Sequence, residues 1–107
     1  MMTRSEALRA ILEKDPGDSF SRYALAMELV GAQRWAEAIA EFTDLQRRDP
    51  SYVALYYQLG KCYEQNNQPQ DAIAAYTEGI RVARQANNMH AVSELYAAKE
   101  ELEDTLA

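Results

Sequence analysis

Large apolar residues recur along this chain at steps of three and four, in runs separated by polar breaks that carry proline, glycine or asparagine. Such steps place side chains on one face of an α-helix, whereas a half-buried strand would alternate. Thr3-x-x-Glu6 offers a capping box to a first helix over 3–15, with a stripe of Leu8, Ile11 and Leu12 that ends before Pro16. Asp18 or Ser19 opens a second helix that runs through Phe20, Tyr23, Leu25, Ala26 and Leu29 to about Ala32, where Gly31 helps to end it. Trp35 starts a third, and Ala38, Ile39, Phe42 and Leu45 carry its core stripe to Asp49-Pro50. Ser51 is expected to cap a fourth helix from about Val53 to Gln65, and Pro69 suits the first turn of a fifth. Nothing stops that fifth helix before Asn87-Asn88, because Arg84 stands where the spacing of Pro16 and Pro50 would set another proline. A last helix, 89–106, presents Val92, Leu95, Tyr96, Leu102 and Leu106 at helical spacing.

Two of these helices form the most informative stretch. Tyr56-x-x-Leu59-Gly60-x-x-Tyr63 is followed by Ala72-x-x-x-Tyr76-x-x-Gly79, and the alternation of small and large residues suits two helices in close contact. In that hairpin Tyr56, Tyr63 and Tyr76 are expected in the core. The same grammar occurs 34 residues earlier as Leu25-Ala26-x-x-Leu29 and Ala38-x-x-x-Phe42-x-x-Leu45, and Trp35 to Arg47 lies over Pro69 to Arg81 with Ala-Ile-Ala, Thr and Arg in common. Period, residue sizes and prolines together resemble the tetratricopeptide repeat over most of the chain. The first unit departs from the pattern with Arg22 in place of an aromatic and Leu29 in place of tyrosine. The resemblance implies an all-α fold: antiparallel helical hairpins stacked into a right-handed superhelical array, with terminal capping helices. One domain, 1–107, then divides into an N-terminal half-repeat helix (3–15), a first repeat (19–52), a second repeat (53–86) and a C-terminal capping helix (89–106). A shift of 34 sets His90, Ser93 and Glu94 on the packing slots of that last helix, so it is expected to replace a third repeat without copying it.

Composition changes this picture little. A chain of 107 residues suits one core, and few Gly and Pro with about a quarter charged residues fit an ordered helical protein. The first residues have no apolar stretch of the signal-peptide kind, and no uncharged run reaches membrane-spanning length, so a cytoplasmic location with no membrane contact is expected. The net charge of −6 is concentrated at the C-terminus, where residues 94–107 hold five acids against Lys99. Only scattered bases such as Arg47-Arg48 remain to meet phosphate, so nucleic acid is excluded as a partner. Cys62 is alone and reads as a small buried apolar side chain. His90 is the only histidine and has no serine, aspartate or cysteine partner placed by the repeat. No catalytic, metal or cofactor site is expected, and neither is an enzyme.

Function enters through the face that packing leaves over. On the first helix of each hairpin, Phe20, Tyr23, Met27 and Val30 are matched 34 residues later by Ala54, Tyr57, Lys61 and Glu64. The resemblance implies that such helices line a concave face where an extended peptide or partner helix lies. Phe20, Tyr23, Met27 and Tyr57 would form an aromatic and apolar patch there, with Lys61 beside it, unless a terminal helix covers them. The leading expectation is a non-enzymatic protein-interaction module, an adaptor, scaffold or assembly factor, whose partner is a protein or peptide. The alternative is a self-associating subunit, a homodimer joined through Leu8, Ile11 and Leu12. An enzyme or small-ligand binder would need a deep polar pocket that two hairpins rarely enclose. Some resembling proteins grip acidic chaperone tails through a carboxylate clamp, but the matching slots hold Tyr23, Met27, Gln58, Asn88 and Val92. An apolar segment is therefore the expected ligand.

Overall fold

Residues with restricted backbones decide where the helices turn. The computed structural model describes residues 1–107 and contains six α-helices and no strand. They are α1 (Arg4–Lys14), α2 (Ser19–Gly31), α3 (Trp35–Arg48), α4 (Ala54–Gln65), α5 (Pro69–Gln85) and α6 (Met89–Leu106). The Thr3 hydroxyl accepts from the Glu6 N–H and the Glu6 carboxylate accepts from the Thr3 N–H, 3.1 Å each, which completes the capping box. Asp18 caps α2 by accepting from Ser21 N–H, and Asn88 caps α6 by accepting from Ala91 N–H. Ser51 does not cap α4: its hydroxyl donates to Asp49, and a turn through Tyr52 and Val53 starts the helix at Ala54 with no side-chain cap.

Three joints close in the same way. Gln33, Asn67 and Asn87 adopt positive φ (58°, 59° and 56°) just after α2, α4 and α5. In each, the following N–H reaches back five residues: Arg34 to Leu29 O, Gln68 to Tyr63 O and Asn88 to Ala83 O. This is the Schellman closure, which satisfies the last carbonyls of a helix. The joints α1–α2 and α3–α4 instead pass through Pro16 and Pro50. Arg84 in place of a third proline lets α5 run on to Gln85 and end with a hairpin-type turn.

The second hairpin locks through two reciprocal pairs. A methyl group on Gly60 would fall within 2.6 Å of Cδ1 and Cζ of the Tyr76 ring, and one on Gly79 within 2.5 Å of Tyr56 Cβ. Each glycine thus admits the tyrosine of the opposite helix, and Tyr56 and Tyr76 are fully enclosed. Tyr63, expected in the core, is only half-buried. Leu55, Leu59 and Cys62 complete this core with Ala26, Phe42 and Leu45 of the first hairpin. Enclosure pushes the Cys62 thiol up to about 11.

Arg22 occupies the slot of Tyr56 in the first hairpin and reproduces one of its bonds. The Tyr56 hydroxyl donates to Pro50 O, and 34 residues earlier Arg22 Nη2 donates to Pro16 O at 3.1 Å. The other arm of the nearly buried guanidinium meets Glu41 at 3.1 Å and Asp44 at 2.9 Å. Burial pushes the Asp44 carboxyl up, but a hydrogen bond from Arg48 and the charges of Arg22 and Arg47 outweigh it and hold the group below the usual carboxylate range.

The two terminal helices are bound unequally. Leu8 and Leu12 of α1 are buried against Ala24 and Leu25 in a small separate cluster, while Ile11 stays exposed. In α6 the buried ridge is Val92, Leu95, Ala98 and Leu102; Tyr96 and Leu106, expected in that stripe, are exposed. Counting 36 residues on from α4 sets Tyr56, Leu59 and Cys62 over Val92, Leu95 and Ala98, all buried. The longer α5 shifts the packing of α6 by two positions, which puts Tyr96 in the slot of Gly60.

Candidate functional site

The face left by packing begins with two tyrosines. Tyr23 of α2 stacks edge-on to Phe42, with ring centroids 5.9 Å apart at 61°, and lies 5.4 Å from the Tyr52 ring. Tyr57 of α4 sits 6.4 Å from the Tyr76 ring, and the Tyr76 hydroxyl donates to Glu64. Both rings are half-buried, held from behind by the hairpin core. Such rings present a rigid apolar surface with a polar tip.

These two rings share one cleft of about 230 Å³, open to solvent, in which Val53, Ala54 and Gln58 lie on the α4 side. The opposite wall is α6, through His90, Ala91, Glu94 and Leu95. The C-terminal helix therefore forms a side of the groove and leaves both tyrosine rings part-exposed. The N-terminal helix packs elsewhere, on Ala24 and Leu25. Burial first, then the charges of Tyr52 and Glu94, pushes the Tyr23 hydroxyl up from its ordinary value, so it stays a neutral donor and acceptor.

Of the five residues expected on this face, Tyr23 and Tyr57 converge on the cleft. Met27 is half-buried further along α2, and Phe20 is 68% exposed near the start of that helix, outside the cleft. Lys61 lies with its Nζ 5.5 Å from the Tyr57 ring centroid and 3.8 Å from Glu64, so its charge is already partly engaged. Gln58 was expected here only as a clamp slot without its cation, and His90 and Glu94 were not singled out for this face from the sequence. The 36-residue register would have found the α6 pair, because it carries Ala54 onto His90 and Gln58 onto Glu94. Of the three residues considered for self-association, Leu8 and Leu12 are inside the monomer and only Ile11 reaches the surface.

The arrangement offers an apolar wall, an amide, an imidazole and a carboxylate, and it suits a side chain held by contact and a few hydrogen bonds. No three His, Cys, Asp or Glu side chains gather as metal ligands would, and no helix is long and apolar enough to cross a membrane.

Stacked antiparallel helical hairpins with one face open along their first helices define a helical-repeat scaffold. The tetratricopeptide repeat model matches residues 23–88, more than half of the chain. This chain belongs to the tetratricopeptide repeat family. It is 39% identical over 62 residues to the TPR repeat-containing protein YpiA of Bacillus subtilis; that stretch is 58% of this chain and only 14% of the relative. It is 44% identical to the solution structure of a tetratricopeptide repeat domain protein from Salinibacter ruber, with a TM-score of 0.79 over 84% of this chain and 91% of that one. The solution structure of a Bordetella parapertussis protein shares the fold at 21% identity, with a TM-score of 0.85 over 98% of this chain and 91% of the other. Tetratricopeptide repeats generally serve as non-enzymatic modules that bind protein partners.

Proposed function

We propose that this chain is a non-enzymatic adaptor or assembly module that holds an apolar peptide segment or partner helix in the groove between α2, α4 and α6. One observation carries the reading: Tyr23 and Tyr57, from successive repeats, converge on a single open cleft whose far wall is α6. Central aromatic anchors in such a cleft dominate binding, while rim charges tune rate and salt dependence. Lys61, already beside Glu64, belongs to the rim. Self-association has less support, since only Ile11 of its three residues is exposed.

Selection of a displayed peptide library on the immobilised chain tests the reading. The expected ligands share an apolar or aromatic residue, and their amide-shift footprint falls on α2, α4 and the start of α6. Tyr57→Ala should weaken them by about 2 kcal/mol or more, against a small, salt-dependent loss for Lys61→Ala. Ligands that bind Tyr23→Ala and Tyr57→Ala as tightly as the parent would place the binding face elsewhere.

A further inference from the structure

The roomiest cleft of the molecule, about 430 Å³, is not the groove but lies between α5 and α6, with Ile80, Arg81, Arg84, Tyr96 and Lys99 in its lining. Those three bases are all the bases that follow Lys61 in the chain, where they stand against eight acids. The lining of this cleft holds no acid, in an otherwise acidic molecule. Such a concave patch focuses the field on an incoming anion.

The three cations are differently engaged. Arg81 is tied to Glu78, and Lys99 lies 3.2 Å from Glu103. Arg84 has no ion pair; its guanidinium carbon lies 5.7 Å from the centroid of the Tyr96 ring. A guanidinium over an aromatic ring keeps its N–H edge free for a carboxylate. Ile80 and the half-exposed ring of Tyr96 supply an apolar floor beside it. Tyr96 stands in the slot that Gly60 leaves open for Tyr76, so the close approach of the second hairpin is not repeated here. A dianionic phosphate would meet Glu78 and Glu103 next to the cations. A single carboxylate on an apolar carrier needs only Arg84, the one cation of the three without an acidic partner.

We propose that the cleft between α5 and α6 is a second docking surface, which receives an acidic, apolar-flanked segment of a partner protein with a carboxylate on Arg84 and a neighbouring apolar side chain on Tyr96 and Ile80. The surface is separate from the groove between α2, α4 and α6, so a partner can engage both.

The probe is a blocked peptide of alternating glutamate and leucine, titrated into the isotope-labelled chain and followed by amide shifts. The expected shifts cluster at 77–85 and 96–99 and weaken with added salt. Arg84→Glu should weaken binding on the order of tenfold or more, and Tyr96→Ala by a smaller factor. Arg34→Glu, which alters an exposed base elsewhere, and Tyr57→Ala, which alters the groove, should leave this binding unchanged, and circular dichroism establishes that each variant is folded. The proposal is overturned if the shifts fall on α2 and α4, if Arg84→Glu binds like the parent, or if no saturable shift develops. It is equally overturned if phosphatidylserine vesicles retain the parent through Arg84 while the peptide does not bind, since the surface would then be one for membranes.

Discussion

Gly60 and Gly31 are both helical glycines, and they call for opposite substitutions. A methyl group on Gly60 collides with the Tyr76 ring, so Gly60→Ala should cost about 1–3 kcal/mol in a urea titration as the hairpin opens to admit it. A methyl on Gly31 meets nothing within 4 Å, so Gly31→Ala should be neutral or stabilise by up to about 1 kcal/mol. Equal effects in the two variants would contradict the reciprocal contacts of α4 and α5. Asp44 sets an acid dependence. Its carboxyl is held below the usual range when folded, so the unfolded chain takes up the proton first as pH falls, and the stabilisation is present above about pH 4 and lost below it. Asp44→Asn should melt lower than the parent at neutral pH, and the gap should close as pH drops through that range. A gap that is constant down to acid pH would mean that the carboxylate beside Arg22 and Arg48 contributes nothing specific.

At the scale of elements, the three Schellman turns are not equally well served by their residues. Gln33, Asn67 and Asn87 all adopt positive φ, which asparagine tolerates better than glutamine. Gln33→Gly should therefore stabilise by about 0.5–1 kcal/mol and Asn67→Gly by less, read as paired shifts in thermal unfolding. The helices α1 to α5 were legible because Leu25, Ala26, Ala38 and Phe42 repeat as Leu59, Gly60, Ala72 and Tyr76 at a fixed spacing, so one hairpin explains the other. The packing of α6 was legible only in part: Val92, Leu95 and Leu102 are buried as their spacing implies, but counting by 34 fails once Arg84 replaces the proline and α5 gains its extra turn. Tyr96 then leaves the core and Ala98 enters it. The groove inherited the same boundary. Tyr23 and Tyr57 could be found from their spacing, whereas His90 and Glu94 reach the cleft only through the shifted register. The polar pairing of Arg22 was hidden for another reason: Glu41 and Asp44 belong to the facing helix, and no periodicity within α2 points to them.

The whole molecule measures 47 × 29 × 19 Å, too thin to enclose a deep pocket, so its functions have to lie on its faces. The repeat pattern lapses at both ends. Arg4 stands where the first hairpin has the fully buried Ala38, and Tyr96 stands where the second has Gly60. With Leu8 and Leu12 buried inside the monomer, sedimentation is expected to give a single species of monomer mass up to high micromolar concentration, unchanged in Ile11→Glu. A mass that rises with concentration in the parent and not in Ile11→Glu would restore the homodimer. The middle of the array carries its own reporter. Cys62 is 1% exposed, and its thiol is pushed up to about 11, so at neutral pH it is both shielded and protonated. Only the thiolate reacts with a disulfide reagent. Its modification therefore waits for the central hairpin to part, and the labelling half-life becomes a clock for that opening. Gly60→Ala should make the clock run fast, while a change confined to α1, such as Ile11→Glu, should leave it keeping the parent's time.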